Sequence, residues 1–181
     1  AMQIYGGHGY IKEHGMEQLV RDIRIAPIYE GTNAVQAIDL VLRKLIMKEG
    51  KVIESYLAHI DKEINKFNSN NNLKEFCLSL KKYNKTLKEL TSWIQDNLKT
   101  NQDAVNAAAT EYLNIFALVS IGMMWLKMAD VAYRKIAENK DFYKSKIDCA
   151  SIFFTRILTR IDAYSNVKSS SDTIMNYNFK N

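Results

Sequence analysis

The chain has 181 residues, of which 47% are hydrophobic, enough to bury a sizeable core in one or two compact domains. Its formal net charge of +5 is spread along the chain: residues 1–47 carry five basic and five acidic side chains, leaving 20 against 15 in the remainder. The densest basic cluster, Lys81, Lys82, Lys85 and Lys88, follows the polar positions of a helical pattern, so it reads as a solvated face and argues against a nucleic-acid partner.

The first 34 residues differ in texture from the rest. They hold Gly6, Gly7, Gly9, Gly15, Gly31 and the single proline, Pro27, whereas only Gly50 and Gly122 interrupt residues 35–181. With both strong helix breakers scarce, long helices are expected, and the fold class is all-α: a bundle of about five main helices. The apolar positions Val35, Ile38, Leu42, Leu45 and Ile46 mark the first of these, and Ile53, Leu57, Ile60, Ile64 and Phe67 the second, with Gly50 between them. The run Asn68 to Asn72 ends that helix. Leu73, Cys77, Leu80, Leu87 and Ile94 form a narrow stripe on a third helix. A fourth is expected from about Gln102 to Asn139 and, being apolar on nearly all sides from Tyr112 to Leu126, should be the central one. The apolar run between Glu111 and Lys127 is about 15 residues long, under the ~20 that cross a bilayer, so no membrane span is expected. A fifth helix carries Ile147, Ala150, Phe153, Phe154, Ile157, Leu158, Ile161 and Tyr164, and a polar, Ser-rich, loosely held tail starts at Asn166.

Cys77 and Cys149 sit in apolar helical patterns without CxxC spacing, so both are expected to be reduced and buried. His8, His14 and His59 share no helix face, and no metal site is expected. The opening residues show no basic start followed by an apolar core and a cleavage site, so the expected location is cytoplasmic.

Chemistry is sought where the backbone is irregular. Pro27 disfavours helical geometry at Ala26, so Ile28 to Gly31 reads as a short stretched segment running into a helix capped by Thr32 or Asn33. Glu30 is then presented from a non-helical backbone. On pattern alone it equally suits a carboxylate placed at a helix N-terminus for its favourable dipole. Gly6-Gly7-His8-Gly9 has no preceding strand and lacks GxGxxG spacing, so it is not a Rossmann turn and by itself suits a helix-ending turn.

Three ordered motifs change that balance: Ala1-Met2-Gln3-Ile4-Tyr5-Gly6-Gly7-His8-Gly9-Tyr10, then Arg21-Asp22, then Tyr29-Glu30-Gly31-Thr32. Together they resemble the last signature of FAD-dependent acyl-CoA dehydrogenases, over residues 1 to about 46. The likeness is to members with a C-terminal helical extension, such as the 3-methylmercaptopropionyl-CoA dehydrogenases. It divides the chain into residues 1–48, the end of the dehydrogenase helical domain, and residues 49–181, the extension.

The resemblance implies removal of the pro-R α-proton of an acyl-CoA by Glu30 while the β-hydride passes to FAD, giving a trans-2-enoyl-CoA. Tyr29 and Gly31 are then beside the substrate. Thr32, Asn33, Ala34 and Gln36 lie near the FAD of the same subunit, and Gln3, Gly6 and Gly7 near that of a neighbouring one. Arg21 and Asp22 become a structural pair, with Arg24 on the same helix. Electron-transfer flavoprotein is the implied acceptor and a homo-oligomer the implied assembly. The family's N-terminal helical and middle β-domains fall outside this chain, so the chain alone is expected to be inactive. The competing expectation is a non-catalytic helical oligomerisation or interaction module that keeps the motif as a relic.

Overall fold

The computed structural model describes residues 1–164, 166–168, 177 and 178, so most of the expected Ser-rich tail lies outside the described residues. Among them there are six α-helices and no strand: α1 (Met16–Ile23), α2 (Asn33–Leu42), α3 (Lys51–Phe67), α4 (Lys74–Asn97), α5 (Gln102–Lys135) and α6 (Lys140–Ile152). The chain is all-helical, as expected. It forms two compact units, Ala1–Gln36 and Ala37–Asn181.

In the second unit α5 packs against α3, α4 and α6. Its core face carries Val105, Tyr112, Ile115, Val119 and Leu126, none more than 1% exposed. Opposite stand Leu57, Ile60 and Ile64 of α3 and Leu80, Leu87 and Ile94 of α4, all within the same cluster. The helices approach closely at Gly122 of α5, where an added Cβ would stand 2.9 Å from Leu80 Cδ1 and 3.5 Å from Phe153, so the Leu80 side chain would have to shift. By length and composition alone α5 could cross a bilayer: 34 residues, with an 18-residue window of mean hydropathy 1.6 that is 39% buried here. The core helix of a bundle meets the same description. It is not covered all round, however, because Ile121, Met124, Met128 and Val131 stay exposed at spacings of three and four.

Asparagines start three of the helical segments. Asn70, Asn101 and Asn139 accept side-chain hydrogen bonds from the amides of Asn72, Ala104 and Phe142, satisfying groups that have no partner within the helix. The expected fourth helix, to Asn139, is shorter: α5 ends at Lys135, and Asn139 instead caps α6, which begins at Lys140 ahead of the apolar positions from Ile147. After Ile152 the backbone widens into a π-helical turn over Phe153–Ile157 and then tightens to 3-10 geometry over Leu158–Tyr164. Phe153 and Phe154 are both buried there, against Trp125 and Phe76. Between Lys44–Ile46 and α3 the chain turns through three successive left-handed residues, Lys48, Glu49 and Gly50. The cysteine expectation holds for Cys77, whose thiol burial pushes above its ordinary range. Cys149 is exposed instead, one residue away from the buried Ala150 on α6.

Some polar groups in this core are partnered across helices, while the buried Oδ1 atoms of Asn84 and Asn106 and Oε2 of Glu111 have no hydrogen-bond partner among the described residues. The Tyr112 and Thr91 hydroxyls lie 2.8 Å apart, and Thr91 also donates to the Leu87 carbonyl at 2.7 Å. Glu63, only 5% exposed, meets Lys127 of α5 at 3.0 Å and Lys66 at 2.5 Å. Hydrogen bonds from those two ammonium groups hold its carboxyl down at about 2, from an ordinary 4.5. Above the ordinary value the carboxylate is charged whether the chain is folded or not, and the contact contributes in full. As the pH falls from about 4.5 towards 2 the unfolded chain takes up a proton that the folded chain resists, and that contribution is lost. The urea midpoint of the wild type should therefore fall more steeply across this acid range than that of Glu63→Gln, which should be less stable at neutral pH. Parallel slopes would show that the contact contributes nothing.

Candidate active site

The first unit is held by local hydrogen bonds rather than by a core. Gly9 is its one buried residue among those described, while Ile4, Tyr10, Leu19, Ile23 and Ile25 are exposed. The opening turn closes with Gly6 in left-handed geometry (φ 58°), its amide donating to the Gln3 carbonyl at 3.2 Å. Gly6 and Gly7 then begin a 3-10 segment, Gly6–Tyr10, and beyond the adjoining backbone no heavy atom lies within 4 Å of where a Cβ on either would stand. Gly9 is the opposite case. A Cβ there would fall 2.1 Å from the Met2 carbonyl oxygen, so this glycine is required for the backbone to fold over itself.

Arg21 and Asp22 lie side by side on α1. Arg21 forms a two-pronged ion pair with Glu17 one turn earlier on α1, at 2.6 and 3.2 Å, which lowers the Glu17 carboxyl and raises the guanidinium. Side chains one turn apart share a helix face, whereas sequence neighbours do not. Arg24 stands just past the last residue of α1 as its cap. A cavity of 490 Å³ is lined by Met2, Tyr10, Lys12, Glu17, Val20 and Arg21, none of them a residue expected to touch substrate or cofactor.

The segment ahead of α2 is not stretched. Ala26 donates to the Ile23 carbonyl at 3.0 Å, and Ile28 and Tyr29 both donate to that of Ile25, at 2.9 and 3.0 Å. Proline's fixed φ suits a turn as well as an extended segment, and its effect on its predecessor reaches only Ala26. The chain is therefore coiled up to Tyr29. Glu30 (φ 57°) and Gly31 (φ 95°) are then both left-handed. For glutamate that geometry costs on the order of 1–3 kcal/mol, so something must hold it. Gln36 does: its Nε2 donates to the Glu30 carbonyl at 2.7 Å. The same nitrogen would lie 2.8 Å from a Cβ on Gly31.

Thr32 caps α2. Its Oγ1 accepts from the Val35 amide at 3.3 Å and its carbonyl from the Gln36 amide at 3.0 Å. Glu30, Gly31, Thr32 and Gln36 are thus brought together, with Asn33 and Ala34 in the first turn of α2. Tyr29 is exposed beside them, as is the Glu30 side chain, which makes no ion pair or hydrogen bond among the described residues. The hydrogen bonds of Gln3 and Gly6 remain within the opening turn. The Gln36 clamp and the tight approach at Gly9 escape the sequence reading, because each depends on the hand of a turn or on a contact with another backbone segment.

This helical chain is matched over residues 1–45 by the family described as "Acyl-CoA dehydrogenase, C-terminal domain" and over residues 57–178 by "Acetyl-CoA dehydrogenase C-terminal like". The second match alone covers more than half of the chain, which belongs to the acyl-CoA dehydrogenases and carries their C-terminal sequence. A butyryl-CoA dehydrogenase of Syntrophomonas wolfei is 29% identical over 96% of this chain, and a 3-methylmercaptopropionyl-CoA dehydrogenase of Ruegeria pomeroyi 27% identical over 96%. The chain spans 29% and 30% of the lengths of these relatives. The caffeyl-CoA reductase-Etf complex subunit CarC of Acetobacterium woodii is 47% identical over 49 residues, 27% of this chain and 12% of that protein.

Replacing Thr32 with Ala removes the cap and should destabilise the start of α2 by about 1 kcal/mol. Amide exchange at Val35 should speed up while that at Leu87, in α4, stays unchanged. Unaltered exchange at Val35 would show that the hydroxyl does not hold this helix end.

Proposed function

We propose that the parent protein is a FAD-dependent acyl-CoA dehydrogenase and that Glu30 is its base. One observation carries this reading. A glutamate that serves only to begin a helix would bond to the first helical amides, yet Thr32 fills that role and the Glu30 carboxylate is left exposed on a left-handed backbone. A costly conformation maintained at an unengaged acid is what a reacting group needs, and it gives a relic motif no role.

In the proposed step Glu30 takes the α-proton: the Cα–H bond breaks, an O–H bond forms on the carboxylate, and the electron pair becomes the Cα–Cβ double bond as hydride leaves Cβ. FAD, when bound, supplies the acceptor for that hydride. The residues here suit such a cofactor. Open space around Gly6 and Gly7 lets a phosphate approach the backbone there closely. The first turn of α2, with Asn33 and Ala34, presents the positive end of the helix dipole. Thr32 keeps its hydroxyl proton for a ligand. Gln3 would add a side-chain amide. Tyr29 and Gly31 flank the acid where the acyl-CoA would bind, and the enolate oxygen forming on the thioester needs positioned donors, such as the Glu30 amide that the family resemblance suggests.

The division near residue 48 places this machinery in the first part and the α3–α6 bundle in the helical extension; the two family matches stop at residue 45 and resume at 57. Electron-transfer flavoprotein is the proposed acceptor, supported by the Etf complex named for the Acetobacterium relative. The proposed assembly is a homo-oligomer, in which Gln3, Gly6 and Gly7 would serve a neighbouring subunit's cofactor.

In the full-length flavoprotein, Glu30→Gln should keep the yellow cofactor but slow anaerobic bleaching by acyl-CoA by at least about 10²-fold, the lower range for removing a general base. Bleaching at the wild-type rate would overturn the assignment.

A further inference from the structure

We propose that Gln36 is a positioning residue for Glu30, one that sets the direction of the base through its backbone; this rests on the reading of Glu30 as the base. Gln36 stands in the first turn of α2, and its side chain reaches back six residues to the Glu30 carbonyl, with Nε2 to O at 2.7 Å. A peptide group is planar, so fixing that oxygen fixes the whole Glu30–Gly31 peptide, including the Gly31 N–H on its opposite side. With the left-handed φ of 57° at Glu30, the clamp therefore determines where the carboxylate leaves the backbone.

Three features are explained together. Gly31 is left-handed at φ 95°, and a Cβ there would lie 2.8 Å from Nε2 and 3.7 Å from Cδ of Gln36, so glycine lets the amide lie directly over the turn. Thr32 fixes the first turn of α2 and hence the point from which Gln36 reaches. Gln36 must donate, because its partner is a carbonyl, and must have the length of glutamine, because asparagine is one methylene shorter. Glutamate at this position would set a second anion against the carbonyl and near the base. The resemblance alone would read Gln36 as a cofactor contact; the geometry gives its donor to the base's backbone.

The test uses full-length holoenzyme with Gln36→Met, which keeps the bulk and removes the donor, alongside Glu30→Gln. Gln36→Met should retain flavin content and acyl-CoA KM within about twofold. Its kcat should fall on the order of 10²-fold, the scale expected when a reacting group is misdirected, and the isotope effect of an α-deuterated substrate should rise. In spectra of the 181-residue chain the Glu30 and Gly31 amides should shift while the Val35 amide, held by Thr32, does not. Gly31→Ala, which disturbs the same contact, should add little to Gln36→Met in the double variant.

Wild-type kcat and isotope effect in Gln36→Met, with Glu30→Gln inactive, would overturn the positioning role and leave the base assignment standing. Loss of flavin or a raised KM without a change in the isotope effect would also overturn it, by making Gln36 a binding contact. Activity surviving in Glu30→Gln would overturn both.

Discussion

Burial of α5 is the constraint on which the rest of the bundle depends. A 34-residue helix with apolar side chains at most of its positions cannot stand alone in water, and covering even one of its faces calls for three other helices. The partners follow from it. α4 lies close at Gly122, where a Cβ would press on the Leu80 side chain, and α3 is pinned by Glu63, whose carboxylate reaches Lys127. The change of pitch at Phe153 lets two adjacent rings enter the same core. The buried Thr91 hydroxyl is completed from another helix, by Tyr112.

Residues 1–36 are ordered by different means. With a glycine as the one buried residue described there, apolar packing supplies little order, and short-range hydrogen bonds set the backbone instead. Shape at the acid is consequently set by four neighbouring residues, Glu30, Gly31, Thr32 and Gln36, rather than by a core. Direction needs only local bonds, whereas seclusion from water needs surrounding surface. Local bonds here fix the direction of the carboxylate, while Ile4, Tyr10, Leu19 and Ile23 stay exposed in the same unit as uncovered apolar surface.

Where periodicity carried the information, the sequence reading was close. The α4 stripe through Cys77, Leu80, Leu87 and Ile94 and the break at Gly50 come directly from apolar spacing. It failed where spacing says little. The first turns of α6 bury no side chain, even though they hold Phe142 and Tyr143, so its start is marked by the cap at Asn139 and not by an apolar face. Cys149 is adjacent to Ala150 in sequence but about 100° away around the helix, on the water side. At the candidate site, residue types pointed to Glu30 and to Thr32 as a cap, but two features lay beyond them. The coiling of Ile25 to Tyr29 depends on which carbonyl accepts two amides, and the Gln36 clamp on two positive φ angles in succession.

The open stripe on α5 has a chemical consequence. Met124 is 51% exposed and Met128 lies on the same face, while Met123 is 6% exposed. Thioethers in contact with solvent are converted to sulfoxides far more readily than buried ones, and each conversion places a polar, chiral group where a flexible apolar one stood. Peroxide would thus read the helix by face, labelling Met124 and Met128 ahead of Met123, and any surface that comes to rest on this stripe would protect those two sulfurs first. Three methionines within six residues make α5 its own footprinting reagent.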